Sequence, residues 1–236
     1  MLAIQHSSNR LLRTLPPAEL EALAPHLEHV ELVRETVLVE AGSPLTHVYL
    51  PHSGVISMLV RLCEGQTVEV AMVGHDSVFG AAAALDGGIS LTDAVVLLPG
   101  TASTLGIAHF RAAADRSATF RNLLARHEQA LFAHAQQSAA CNAAHSVEAR
   151  LSRWLLRARD LSDGGNLPLT QELLAQMLGV QRNAISIVAN ALQRAGIIRY
   201  SRGHIEITNL EGLRETCCEC YDAVKVQHNR LVRPPD

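Results

Sequence analysis

Short apolar or alternating runs dominate the first half of the chain. From Val30 to about Ile107 they read VELV, ETVLVE, HVYL, GVISMLVRL, TVEVAMV, DAVVLL and ASTLGIA. Turn signals separate them: Ala41-Gly42-Ser43-Pro44, His52-Ser53-Gly54, Glu64-Gly65-Gln66, Val73-Gly74-His75-Asp76, Asp86-Gly87-Gly88 and Pro99-Gly100. Many short strands at near-regular spacing predict an all-β sandwich or barrel of the jelly-roll kind. A short helical stretch precedes them, with Leu11, Leu12, Leu15, Leu20, Leu23 and Leu27 around Pro16-Pro17, and prolines suit a helix start. The Ala81–Ala84 run reads as close packing of the roll.

After His109 the period changes. Phe120, Leu124, His127, Leu131, His134, Ser138 and Cys141 alternate in steps of four and three, the seam of a helix that pairs with a second copy. Phe120, Leu124, His127, Leu131, His134 and Ser138 are therefore the expected dimer contacts. In a dimer each seam histidine would approach its symmetry mate; the blander reading, in which they face outward or stay neutral, is favoured. Asn142-Ala143-Ala144-His145 reads as a hinge. A second amphipathic helix follows, with Val147, Leu151, Trp154, Leu155 and Ala158 on one face and Arg150, Arg153, Arg157 and Arg159 around it. Trp154 reads as core. Asp163-Gly164-Gly165-Asn166 ends that helix.

Residues 169–196 carry the chemistry. Thr170 caps a helix presenting Leu173, Leu174, Met177 and Leu178, and Gly179 stands where a tight turn between helices needs positive φ. A second helix starts near Gln181. Ala184, Ile185, Val188, Ala189 and Leu192 face inward; Gln181, Arg182, Asn183, Ser186 and Asn190 face out. This is a helix-turn-helix by mechanism, because the first helix braces a second that offers polar donors to base edges. Asn pairs with adenine and Arg with guanine in bidentate fashion. Ile197, Ile198, Ile205 and Ile207 then flank Ser201-Arg202-Gly203, a hairpin wing whose Arg199, Ser201, Arg202 and His204 suit phosphates.

Composition narrows the class. The chain has 236 residues, 48% hydrophobic and 18% charged, enough for a packed core and incompatible with disorder throughout. No run of about 18 apolar residues offers a membrane span. The start MLAIQHSSNRLLRTLPP lacks the pattern of a signal peptide, so a cytoplasmic location is expected. The net charge of −3 is uneven: −7 over residues 1–108, +2 over 109–145, +3 over 146–214 and −1 over 215–236. An acidic front and a basic rear suggest modules with different partners, the basic one suited to a polyanion.

Five cysteines include Cys217, Cys218 and Cys220, with His228 downstream. The spacing hints at a metal or redox site but lacks a second C-x-x-C or a His pair, so packing or exposed thiols is the favoured reading and neither metal nor cofactor is expected. Twelve histidines contain no H-x-H, and no H-E-x-x-H, Walker A or G-x-S-x-G motif occurs, so no enzyme is expected. Two other readings stand beside DNA binding. One is a cupin-like metal oxygenase on the roll; the other is an interaction protein that has lost DNA.

Residues 10–225 resemble the bacterial Crp/Fnr family of transcription regulators. The resemblance rests on the order of roll and long helix, then EARLSRWLL (148–156), LTQELLAQMLGVQRNAISIVANALQRAGII and the RGHIEI wing. It implies an α+β architecture: a jelly-roll-like, cyclic-nucleotide-binding-like β-roll over 1–108, a dimerisation helix and hinge over 109–145, a winged helix-turn-helix over 146–225 and a tail over 226–236. It implies a homodimer on a palindromic site of double-stranded DNA, with RNA polymerase as a further partner. Arg182 and Asn183 would read bases, and Thr170, Gln171, Arg199, Ser201 and Arg202 would hold phosphates; Gln181, Ser186, Asn190 and His204 complete the expected contact set.

Departures from the family pattern are specific. Where members commonly carry a base-reading Glu and, three to four positions on, Ser-Arg or Arg, this chain has Asn183, Ser186 and Ile187; Asn183 would favour adenine and Ile187 a thymine methyl. Cyclic-AMP-binding members carry Gly-Glu for the ribose and Arg-Ser for the phosphate. Here Gly80 is followed by Ala81, and Thr92 or its neighbour replaces the Arg, with Asp93 adding the wrong charge. No cyclic-nucleotide binding by the usual mode is expected, because a buried phosphate needs an opposing cation. The effector remains unassigned.

Overall fold

The computed structural model describes residues 8–162 and 164–232. Asp163, the first residue of the expected breaker, and residues 233–236 of the expected tail lie outside the described residues, as does most of the start MLAIQHSS.

Two short helices, α1 (Arg10–Arg13) and α2 (Pro17–Leu23), open the described chain, followed by a 3-10 turn, Ala24–His26. The expected single helical stretch is thus broken at Pro16-Pro17, where Pro17 takes the first helical position. Asn9 caps α1 through its side-chain oxygen, and its amide donates to Pro51 O and Ser77 O, both at 2.9 Å. That ties the opening helices to the roll.

The roll consists of β1 (Glu28–Leu32), β2 (Val37–Val39), β3 (His47–Pro51), β4 (Val55–Arg61), β5 (Thr67–Val73), β6 (Asp93–Leu98) and β7 (Gly100–Gly106). One antiparallel sheet has the order β1-β7-β3 and the other β2-β6-β4-β5. Leu32, Leu45, Ile56, Val73, Phe79, Ala94 and Val96 fill the space between them. Between β5 and β6 lies α3 (Ala81–Leu85), entered through Gly80 at φ 89°. The sequence reading treated this alanine run as close packing of the roll. Ala81 and Ala84 are fully buried, so the packing role holds in helical form.

Next come α4 (Ile107–Arg116) and the 27-residue α5 (Ala118–Ala144), capped by Ser117 and ending at His145. The helix runs on through the expected hinge residues Asn142, Ala143 and Ala144, all good or tolerated helix formers, and breaks only at His145-Ser146. Beyond the break, α6 (Val147–Leu161) leads through β8 (Asn166–Leu167) into α7 (Gln171–Leu178), α8 (Arg182–Arg194), β9 (Ile198–Ser201), β10 (His204–Ile207) and α9 (Leu210–Glu215). The chain then forms α10 (Cys220–Val232), which lies along α5. Residues 226–232, expected as tail, are helical. Tyr221 also ties α10 to α6: it is buried, and its hydroxyl donates to Asp160 Oδ2 at 2.6 Å.

The seven-residue repeat of α5 turns toward its own protomer. Phe120 and Leu124 sit in the core with Phe110, Leu11 and Leu12. His127 is buried, its Nε2 accepting from Val78 N–H at 3.3 Å and lying 2.6 Å from Ser77 Oγ. Ser138 and Cys141 are buried as well, and Leu131 and His134 half-buried. Of the expected dimer seam, Phe120, Leu124, His127 and Ser138 are therefore covered within the chain, and Leu131 and His134 only half covered. Amphipathicity identifies a face that must be covered; it does not say whether a second copy or the rest of the same chain covers it.

The roll and the helix-turn-helix share one apolar body. Val55, Leu59, Met72, Leu97 and Leu98 from the roll meet Leu151, Trp154, Leu155, Leu174, Met177 and Ile185. Polar contacts cross the same boundary: Trp154 Nε1 donates to Glu69 Oε1 at 2.7 Å, and Gln176 donates to Thr67 Oγ1.

Candidate nucleic-acid interface

The first helix of the motif, α7, begins at Thr170, whose Oγ1 accepts from Leu173 N–H at 3.1 Å. It ends at Gly179, which adopts φ 63° and ψ 43°. Val180 N–H then reaches back to Ala175 O at 3.0 Å, closing the terminal turn. A Cβ at position 179 would stand 3.1 Å from Val68 of the roll, so backbone conformation and space both select glycine. Arg150 donates to Leu178 O, fixing the same turn from α6.

The second helix, α8, buries Ile185, Ala189 and Leu192 and half-buries Ala184 and Val188. Its opposite edge is open: Gln181, Arg182, Asn183, Ile187, Asn190 and Arg194 are all exposed, and Ile187 is 63% exposed. An isoleucine so placed at the centre of a polar edge leaves most of its apolar surface open to solvent. No side chain caps α8 at Gln181, which leaves first-turn N–H groups facing outward. Arg182 Nε lies 3.7 Å from Glu172, an exposed pair of little energetic weight.

Ser186 behaves differently from its neighbours. It is half-buried and donates to Gln171 Oε1 at 2.6 Å, so these two expected contact residues also link α7 to α8. Thr170 remains exposed beside them.

The wing is a three-stranded sheet of order β8-β10-β9. Its tip turns at Arg202 (φ 48°) and Gly203 (φ 81°), two successive positive φ values that suit the twist of a tight hairpin. Ser201, Arg202 and His204 are exposed there. Among the described residues no carboxylate lies within 4 Å of Arg202. Arg199, by contrast, is held by Glu206 at 2.7 Å across the hairpin.

Contacts that the sequence reading missed lie where the roll meets the helices. Glu69 accepts from Trp154 and from Ser57. Burial pushes its carboxyl up to about 7, against the opposing pull of those two donors and of Arg153 and Arg157. Asp76 receives both terminal nitrogens of Arg157. No local spacing marks the pairs Glu69–Trp154 and Asp76–Arg157, which join positions more than 80 residues apart.

The cysteines also regroup. Cys218 and Cys220 meet Cys141 and His145 at the end of α5, while His228 faces Asp76 instead, 3.5 Å away. Cys217 points elsewhere, to Cys218 O at 3.2 Å, and Cys63 is exposed in the β4–β5 turn.

A sandwich-like roll joined through one long helix to a winged helix-turn-helix defines a class of transcription regulator that couples a sensor to a DNA reader. A model described as a cyclic nucleotide-binding domain matches residues 29–117, and one described as a Crp-like helix-turn-helix domain matches residues 149–216. The chain belongs to the Crp/Fnr family of transcription regulators.

Solved structures share the whole architecture. A putative transcriptional regulator of this family from Eubacterium rectale is 17% identical, with a TM-score of 0.70, covering 89% of this chain and 98% of that one. FixK2 from Bradyrhizobium japonicum is 18% identical, with a TM-score of 0.68 and coverages of 81% and 98%. A c-di-GMP-responsive global regulator from Xanthomonas campestris is 16% identical, with a TM-score of 0.63 and coverages of 81% and 99%. At such identities these likenesses concern the fold. No curated protein matches the sequence. Neither the roll oxygenase nor the interaction protein without DNA finds support in these comparisons.

Proposed function

We propose that the protein is a non-enzymatic, sequence-specific regulator that acts as a homodimer on a palindromic operator in the cytoplasm, with RNA polymerase as its further partner. The observation that carries this reading is the open polar edge of α8, exposed from Gln181 to Arg194 while its other side is sealed in the core. Arg182 and Asn183 read base edges and Ile187 meets a thymine methyl, with Gln181 and Asn190 flanking them. Gln171 and Ser186 hold the two helices in register at the groove. Thr170, Ser201, Arg202 and His204 take phosphates, and Arg199 joins them by exchanging Glu206 for a phosphate oxygen.

The dimer forms along the outer side of α5. There Asn122, Ala125, Gln129, Phe132, Gln136, Ala139 and Ala143 are exposed at alternating intervals of three and four, with Phe132 65% exposed. This stripe replaces the inward seam as the contact between copies. Small residues on either side of one aromatic let two helices approach closely.

The signal that the roll receives is not a cyclic nucleotide held in the usual way. Ala81 is buried without a polar atom to offer a ribose, and Asp93 is already bound to Arg61 and to Ala41 N–H, both at 2.8 Å.

Selection of bound DNA from a random pool, followed by footprinting over a range of salt, tests the reading. Two half-sites related by a dyad and centred about one helical turn apart are expected. Uniform affinity for all sequences, or a site without a dyad, overturns it.

A further inference from the structure

Where α5, α6 and α10 meet, one ligand atom from each of Cys141, His145, Cys218 and Cys220 lies within 4.8 Å of the others. We propose that these four residues form a tetrahedral Cys3His site for a single zinc-type divalent ion, which fastens the C-terminal helix to the end of the long helix.

The separations suit one ion. Cys141 Sγ and Cys218 Sγ are 3.5 Å apart, and Cys220 Sγ is 3.7 Å from His145 Nδ1. A tetrahedron with metal–sulfur bonds of about 2.3 Å and a metal–nitrogen bond of about 2.0 Å has edges of about 3.5 to 3.8 Å. A disulfide between Cys141 and Cys218 would need the sulfurs at about 2.05 Å. An iron–sulfur cluster places its own irons and sulfides between the cysteines and requires them further apart.

The surroundings are those of a built site. Cys141, Cys218 and Cys220 are buried, Cys141 completely. His145 turns Nδ1 to the thiols and Nε2 to Glu219 Oε1 at 3.3 Å, the carboxylate–histidine arrangement that fixes a ligand's tautomer and orientation. Gln137 Nε2 stands 3.0 Å from Cys220 Sγ and can donate to it as a thiolate. Three thiolates around a doubly charged ion leave one negative charge, which the nearby Arg150 and Arg153 oppose. Binding releases three thiol protons to solvent and involves no electron transfer.

The ligands come from two distant parts of the chain. Cys141 and His145 end α5, whereas Cys218 and Cys220 follow α9 and begin α10. An ion here therefore clamps the far end of the DNA-binding module to the junction between the long helix and α6. Near the end of the chain the sequence shows the run Cys217-Cys218-Glu219-Cys220; the matching half, C-x3-H, lies more than 70 residues earlier.

The test uses the full chain, purified under reducing conditions. Elemental analysis should find one zinc per chain, and replacement by cobalt(II) should give the thiolate charge-transfer and intense d–d bands of a tetrahedral site. C141S, C218S and H145A should each lose the ion, while C217S and C63S keep it. Glu219→Gln should retain the site with affinity lowered about 10- to 100-fold. Should a cysteine variant fail to fold, the wild-type cobalt spectrum and the Glu219→Gln titration decide the matter. A reduced chain that neither retains zinc nor yields a tetrahedral cobalt spectrum overturns the proposal. So does iron with acid-labile sulfide, or an unchanged metal content in a folded C218S.

Discussion

Arg157, on the helix that leads into the DNA-binding module, grips Asp76 of the roll with both terminal nitrogens, at 2.9 and 3.2 Å. His228 from α10 approaches the same carboxylate at 3.5 Å, so a single aspartate ties together the roll, α6 and the C-terminal helix. Asp76 is 6% exposed. Replacing it by Ala leaves Arg157 without its counter-charge and His228 without its polar partner in a closed setting, an expected loss of about 3 kcal/mol read from urea denaturation. Burial alone would raise the Asp76 carboxyl, but Arg157, His228 and His75 together outweigh it and hold it well below its ordinary 3.8. A lowered folded pKa means stabilisation that is complete above the ordinary value and lost as pH falls beneath it. The wild type should thus lose more stability than Asp76→Asn on acidification below about pH 4. Parallel acid profiles for the two proteins would exclude this.

The second tie behaves in the opposite sense. Glu69 of the roll binds the indole of Trp154, and its carboxyl stands at about 7, pushed up by burial. A raised folded pKa for an acid favours the docked form below the ordinary value of 4.5, and the advantage is lost as pH rises through about 7. Contact between roll and α6 should accordingly loosen with rising pH. Trp154 is the only tryptophan, so its fluorescence reports the contact directly. The expected result is a titration of the emission with a midpoint near 7 in the wild type, absent in Glu69→Gln. Emission that does not change between about pH 6 and 8 would rule it out.

These two contacts mark the limit of what a linear pattern reveals. The strands, the capped α7, Gly179 and the outward edge of α8 were legible because each is set by residues within one or two turns of one another. Thr170 and Gly179 dictate their own backbone geometry, and period alone separates Ile185 and Leu192 from Arg182 and Asn190. Phe120, Leu124 and His127 were legible as a face to be covered but not as to what covers it, since the roll, α10 and a second copy are equally apolar partners for a helix. Cys141 with Cys218, Glu69 with Trp154 and Asp76 with Arg157 depend on the path of the whole chain. Ser186 read as a DNA contact because it lies among polar residues; only the 2.6 Å bond to Gln171 shows its other use.

Phe132 decides how two copies meet. It is the largest apolar side chain on the outer stripe of α5, with Ala125 and Ala139 one heptad away on either side. Burying it against a second copy should contribute about 1.5 to 3 kcal/mol per protomer. Phe132→Asp brings two like charges together at that contact and should shift sedimentation from dimer to monomer. The thermal midpoint should stay close to that of the wild-type protomer, because the side chain touches little within its own chain. Phe120→Asp should instead unfold the protein, as Phe120 lies edge-on to Phe110 with ring centres 5.4 Å apart in the core. A Phe132→Asp protein that remains a dimer would place the contact elsewhere.

Two arginines separate reading from holding. Arg182 stands on the exposed first turn of α8, where a bidentate contact to a guanine is geometrically open, and its weak pairing with Glu172 is easily given up. Arg202 stands at the wing tip, in a turn whose positive φ values aim it away from the body. Arg182→Ala should cost about 1 to 3 kcal/mol on the best operator and almost nothing on random DNA, relaxing the preference at one base pair of each half-site. Arg202→Ala should weaken every sequence alike and lower the slope of log affinity against log salt by about one per bound wing, since a lost phosphate contact is a lost counterion release. Mobility-shift titrations of both variants on the selected operator and on a scrambled duplex, at three salt concentrations, measure both quantities. If Arg202→Ala altered base preference while Arg182→Ala lowered only the salt slope, the roles assigned to helix and wing would have to be exchanged.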